Sequence, residues 1–346
     1  MGKGKETATY EQWVDIFKGI LIIFVVVGHG YYQKLNDIIF WFHMPLFFLI
    51  SGYLFKTPER KTIKIWCIKQ VKALLIPCMF FYVGNMLLVL KHASVSDIIK
   101  KAIFFVYGGR MLPGVYWFIT CLLLSRIIMA LIEICVDSKN VRMAIYAGMY
   151  ILAVIESKLI IPDGIYYYPN VPLYCLIPWN ADVCLFAVPF MAIGKYMKER
   201  SLEKREVCFT GKSEQVLLGV AVVLFALFSA LRVCNLYSVE INMKYAHYSN
   251  LILCAVLPLS AGVILIKGAK ALANGGGYAA TALREIGKAS LVIMYTHLLI
   301  RDYIMIPIYG EDYSVMLWTF IACIGGILIR NFARKNKFSS MIVLGK

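Results

Sequence analysis

Charge is what this sequence has least of. Asp, Glu, Lys and Arg make up 16% of its 346 residues and hydrophobic residues 60%, where soluble globular chains carry about 25% charge. That shortage excludes an ordinary soluble enzyme. Only 20 acidic residues face 36 Lys and Arg, and His occurs five times, so any catalytic or ligand site has few titratable groups to draw on. The ten Cys never approach one another closer than nine positions. That spacing fits neither a zinc nor a haem motif, and most lie in apolar runs as small core residues. Strict apolar–polar alternation is missing too, which argues against a membrane β-barrel.

What is present is a series of continuous apolar runs, each long enough to span a bilayer as a helix. The expectation is an all-α polytopic membrane protein with about ten transmembrane helices, near 16–32, 36–55, 73–90, 114–135, 143–161, 173–196, 215–234, 248–266, 289–307 and 314–331. Pro45 interrupts the second span, since proline removes a helix hydrogen bond and clashes with the carbonyl four residues back. The loop at 91–113 has room for one short surface helix around Val95–Val106.

The formal charge of +16 does not point to nucleic acid, because the cations sit in short loops between apolar spans. With both termini cytoplasmic, 26 Lys and Arg fall inside and nine outside, with Arg126 within a span. That asymmetry follows the positive-inside rule. Lys3 and Lys5 before an apolar run resemble a signal peptide, but Gly28-His29-Gly30 stands where a small-residue cleavage site would be needed, so an uncleaved first helix is expected. The whole of 1–346 is expected to be a single membrane domain with no fused extracellular domain.

The stretch from Trp13 to Tyr31 carries the clearest pattern. His29 is eleven steps along the chain from Lys18, three turns plus about 20°, so both lie on one helix face roughly 16 Å apart along the axis. Asp15 falls on the same side. A cation and an imidazole in line suggest a path or a long ligand, and ionisable groups inside a membrane are candidates for function. His29 also sits where a His can satisfy the carbonyls of a helix C-terminus. His43, just before Pro45, serves either the broken backbone or the cavity of His29. Lys69 and Lys72, three apart, present two cations on one face, suited to phosphate or to lipid head groups. Ser290, Met294, His297 and Arg301 share another face. Asp182 and Glu156 are acidic groups within spans, either of which could orient a histidine. The loop at 162–172, with Tyr166, Tyr167 and Tyr168, is an interfacial belt or a sugar-stacking platform.

Taken in order, these residues resemble the integral-membrane acyltransferase 3 family, in particular its fucose-4-O-acetylase-like branch. Lys18, ten residues, then His29 matches the basic-x10-His mark, preceded by Asp15. FHMPLFFLISGY, Phe42–Tyr53, is similar to the second-helix signature. Lys69 and Lys72 match a basic pair before the third helix, Trp117-Phe118 an aromatic pair, and Ser290-Leu291, Tyr295 and His297 a late motif.

The resemblance implies transfer of an acyl group, most often acetyl, from cytoplasmic acetyl-CoA to a hydroxyl of a carbohydrate or glycolipid acceptor, in a multi-pass protein of a bacterial plasma membrane. Lys18, Lys69, Lys72 and Trp117 would bind the donor, the lysines its phosphates. His29 would be the general base, helped by Asp15 and His297. His43, Ser290 and Tyr295 would line the substrate path. Ser290, Tyr295 or His297 would donate to the oxyanion. No metal and no nucleic-acid partner is implied, and membrane lipids are the surrounding partner. The rival reading is a transporter of a small solute such as an amino acid, which intramembrane His and a broken helix would also suit.

Overall fold

A computed structural model describes residues 3–89, 94–161, 177–202 and 211–346. The aromatic stretch 162–172, His92, Lys91, Lys204 and Arg205 lie outside the described residues. Helices dominate: α1 (Lys3–Gly28), α2 (Gln33–Phe40), α3 (His43–Tyr53), α4 (Ile63–Val89), α5 (Val95–Tyr107), α6 (Trp117–Cys135), α7 (Lys139–Leu159), α8 (Val183–Leu202), α9 (Gly211–Val233), α10 (Leu253–Gly275), α11 (Gly277–Lys288), α12 (Ser290–Ile300), α13 (Ile306–Tyr309), α14 (Val315–Ala333) and α15 (Lys337–Leu344). The extended elements among the described residues are two two-residue strands, Ile241–Asn242 and His247–Tyr248. Seven helical segments of the described residues are long and apolar enough to cross a membrane: 33–53, 60–88, 117–135, 212–233, 253–275, 290–309 and 315–333. The protein is therefore an all-α polytopic membrane protein.

Every expected span contains a helix, and the surface helix expected at Val95–Val106 is α5. Its first turn is closed by a reciprocal pair: Ser94 Oγ accepts from the Asp97 backbone and Asp97 accepts from the Ser94 backbone, a capping box. Two helices were not expected. The amphipathic α11 carries too much charge for a span, and the eight-residue α15 is too short for one. The second span is broken, as expected, but at Trp41–Phe42. Trp41 is the residue four before Pro45, where the ring of a proline clashes with the carbonyl. Pro45 itself stands in the first turn of α3, where its missing N–H is least harmful.

The chain divides into two compact units. The first comprises 1–54, 193–241 and 249–328, and the second 55–192, 242–248 and 329–346. In the first, α1 is central. Trp13, Val14, Ile16, Phe17, Leu21, Ile22, Val25 and Val26 are all buried, so the helix is covered on most of its circumference, as expected of an interior helix. It packs against α2, α3, α10, α11 and α12. Lipid is as apolar as leucine, so close backbone approach between small residues does much of the work in such packing. The α1–α11 crossing shows this. A Cβ on Gly287 would fall on the Asp15 carbonyl oxygen, and one on Gly19 on the Leu283 carbonyl oxygen. That crossing holds the Asp15–Lys18 turn of α1 against α11.

In the second unit, α4 packs on α6 and α15. The loop residues 109–111, 178–180 and 242–248 meet around Arg110, which is buried.

Candidate active site

His29 lies one residue past the end of α1. The last turn tightens there: the His29 N–H bonds the Val26 carbonyl at 3.0 Å and the Gly30 N–H bonds Val27 at 2.9 Å. This leaves the Val25 carbonyl without its usual helical donor, and His29 Nδ1 takes the place at 2.7 Å. A carbonyl can only accept, so Nδ1 of neutral His29 carries the proton and Nε2 holds the lone pair. Neighbours pin the turn. Arg301 Nη1 donates to the His29 carbonyl at 3.2 Å and Asn36 Nδ2 to the Gly30 carbonyl at 2.7 Å.

His297 stands opposite, on α12. It is fully buried, and its ring centroid is 5.1 Å from that of His29, edge to face. Its Nδ1 bonds the Ile293 carbonyl at 3.0 Å, so it too presents Nε2 as an acceptor. That atom is buried and has no hydrogen-bond partner among the described residues. Trp318 of α14 fixes the backbone here, donating Nε1–H to the His297 carbonyl at 2.8 Å, with its ring 6.0 Å from the imidazole. Arg301 lies with its guanidinium 5.9 Å over the Trp318 ring. It opens a π-helical turn, Arg301–Met305, the kind of local widening that is frequent at functional sites.

His43 completes a row of aromatic rings. It is buried, bonds the Ile39 carbonyl through Nδ1 at 2.8 Å, and its ring is 5.1 Å from Phe40, which lies 6.0 Å from His29. His43 thus bonds a carbonyl at the break in the second span and touches the Phe40 ring, which also neighbours His29. All three imidazoles spend Nδ1 on the carbonyl four residues back.

The remaining expected site residues are placed as follows. Asp15 pairs with Lys18 at 2.7 Å and so is the lysine's partner. It lies fourteen residues before His29, about 21 Å along the helix. The helix itself starts at Lys3, so Lys18 sits in mid-helix. Ser290 opens α12, seven residues and about 10 Å before His297 on the same face. Tyr295 is buried but lies two residues from His297, about 200° around the helix. Lys69 and Lys72 are exposed on α4, and Trp117 is buried at the start of α6; all three belong to the second unit. Asp182 and Glu156 are in that unit too, where Asp182 is paired with Arg110. Trp318, Phe40 and Arg110 were not singled out from sequence. Nothing local distinguishes them, since each is recognised only by what it meets in space.

Two imidazoles, one half-buried and one buried, meet here flanked by aromatic rings, and a neutral imidazole nitrogen that holds its lone pair is chemically able to take up a proton.

Residues 11–329 match the acyltransferase 3 family, whose description is "Acyltransferase domain". Over 133 residues the chain is 32% identical to the nodulation protein NolL of Sinorhizobium fredii (strain NBRC 101917 / NGR234), covering 32% of this chain and 33% of that protein. The chain thus matches about one third of the length of that curated relative. No solved structure matches.

Proposed function

The chain belongs to the acyltransferase 3 family, and from that premise we propose that it is a membrane O-acyltransferase with His29 as general base. The donor in this reading is acetyl-CoA on the cytoplasmic side, and the acceptor is a hydroxyl of a cell-surface carbohydrate or glycolipid. The setting it implies is the plasma membrane of a bacterium.

One observation carries the reading: His29 Nδ1 is committed to the Val25 carbonyl, so the tautomer needed of a base is set by the backbone. His29 Nε2 then takes the proton of the acceptor hydroxyl while that oxygen attacks the thioester carbon. The C–S bond breaks, and the imidazolium returns the proton to the departing thiolate. A neutral imidazole titrates near pH 6.5 in water, which suits this task. His297, 5.1 Å away ring to ring, offers its lone pair beside the transient imidazolium. Arg301, bonded to the His29 carbonyl, holds the turn.

The donor's anionic end needs cations. Lys18 is part-exposed and already shares its charge with Asp15, so a phosphate there competes with a carboxylate. Lys69 and Lys72 are exposed and fit a phosphate as point charges. Acetyl-CoA binding to the purified protein, and acetyl transfer or thioester hydrolysis in His29→Ala, test the proposal. Binding with loss of turnover in a folded variant is the expected result. Undiminished turnover in His29→Ala would sink the general-base role.

A transporter is the second reading, favoured by the breaks at Trp41–Phe42 and at Ala289 between α11 and α12, since interrupted helices suit a solute path. Lack of any acetyl-CoA binding, together with solute uptake into proteoliposomes, would select it.

A further inference from the structure

The second unit holds a polar cluster that the proposed transfer does not use. Arg110 is buried and donates Nε–H to the Lys244 carbonyl at 3.1 Å and Nη2–H to Asp182 Oδ2. Asn180 Nδ2 donates to the same Lys244 carbonyl at 3.0 Å. Glu156, near the end of α7, is within Coulombic reach of both Arg110 and Asp182. Three chain segments far apart in sequence are thus tied by one guanidinium and one carbonyl.

The ties do not account for the rest of the cluster. Asp182 Oδ1, Asn180 Oδ1 and Glu156 Oε2 are buried and have no hydrogen-bond partner among the described residues. Asn180 is fully buried, and the Asp182 side chain is 1% exposed. A buried polar atom left unsatisfied is unfavourable by about 1–3 kcal/mol each, so these acceptors favour a group that brings hydrogen-bond donors to them. The Lys244 ammonium adds donors. It keeps part of its surface open, yet burial pushes its pKa down to about 8, as in a crowded position that solvent still reaches. Its neighbouring ring is Tyr245, with Nζ 5.5 Å from the centroid.

The backbone is held in unusual conformations at the same place. Trp179, Asn180 and Ala246 have φ of 58°, 54° and 54°. Asn tolerates the left-handed region, whereas Trp and Ala adopt it only where the surroundings force them. Gly109, at φ 64°, lies so close that a Cβ would meet Asn180 Oδ1. Non-glycine residues held this way gather at binding and catalytic sites.

The unused groups define the ligand by elimination. An apolar molecule would leave all three acceptors unsatisfied. An anion would meet Asp182 and Glu156, and a cation would meet Arg110 and Lys244. A hydroxyl group both donates and accepts, so it serves the carboxylate and amide oxygens and the ammonium alike. We propose that Asn180, Asp182, Glu156 and Lys244 form a binding subsite for a polyhydroxylated ligand, a sugar unit. Its identity as the acceptor's sugar rests on the acyltransferase reading; sugar binding itself does not.

The test is saturation-transfer NMR on the full-length protein in detergent micelles, with L-fucose, D-glucose and N-acetyl-D-glucosamine as probes and no acyl donor present. At least one probe is expected to receive saturation. Glu156→Gln and Lys244→Gln leave the Arg110–Asp182 pair intact and are expected to weaken binding about tenfold or more, the scale of one hydrogen bond to a charged group, with the thermal unfolding midpoint unchanged. Absence of transfer to all three sugars would overturn the subsite, as would equal binding by both variants. Sugar binding without any thioester turnover would keep the subsite and remove the acyltransferase reading. Turnover without sugar binding would do the reverse.

Discussion

The histidine row of the first unit and the ion-pair cluster of the second satisfy their polar groups in opposite ways. His29, His43 and His297 each bond a carbonyl four residues back in their own helix. Their orientation is local, and what tertiary structure adds is the approach of one ring to another. Arg110, Asp182, Asn180 and Lys244 have partners 64 to 134 residues away. Their arrangement collapses if any one of three loops moves. The lesson is about robustness. A site whose tautomers are set within single helices keeps its chemistry when packing loosens, whereas a buried pair joining distant loops is all or nothing.

The largest expected effect breaks the first half of that comparison. Replacing His29 with Ala should lower acetyl transfer by about 10²- to 10⁴-fold, the range of general base catalysis, with the unfolding midpoint held, because the lost Nδ1 bond is local. A midpoint that falls with activity would show that the imidazole is a structural cap. Breaking the second half should do the opposite. Asp182→Ala leaves Arg110 buried without its ion-pair partner and should destabilise by about 3–5 kcal/mol, read from unfolding in detergent. The double variant Arg110→Met with Asp182→Leu should recover most of that loss, because two apolar groups need no pairing.

A smaller effect sharpens what positions the first site. Gly287→Ala forces α11 away from α1, since its Cβ would fall on the Asp15 carbonyl. A loss of about 1–3 kcal/mol is expected, as for overpacking, with the donor's KM rising more than kcat falls because Lys18 moves and His29 does not. Equal effects on both parameters would mean that the crossing also sets the imidazole. The smallest change is Trp318→Phe, which removes one hydrogen bond to the His297 carbonyl. It should lower stability by about 1 kcal/mol and leave donor affinity unchanged in a titration of acetyl-CoA binding.

Much of the fold was legible in the sequence, because spans are written as continuous apolar runs. The broken second span was legible too, but the break was read at Pro45 itself when the clash acts on Trp41. The amphipathic α11 escaped notice: three charges in Arg284–Lys288 look like a loop until the helix is seen packed against α1. The site divides in the same way. Lys18 and His29 share a face by arithmetic on one helix, and His297 follows from its place in a late motif. That Asp15 pairs with Lys18 follows from their three-residue spacing on one face, and the fourteen steps from Asp15 to His29 already place the carboxylate about 21 Å along the helix from that imidazole.

By itself the sequence determined membrane class, a helix in each apolar span and the Lys18–His29 line, since each depends on residues within a few turns of one another, and the ordered motifs along the chain carried the family resemblance. The tertiary structure alone decided that His297 meets His29 across 268 positions, that Trp318 holds it there, and that Arg110 and Asp182 close a cluster with unused acceptors. The physical reason is that helical periodicity is a property of neighbours in sequence. Pairing of a buried charge or ring depends on which helices pack together, and close backbone approach at residues such as Gly19 and Gly287 selects that.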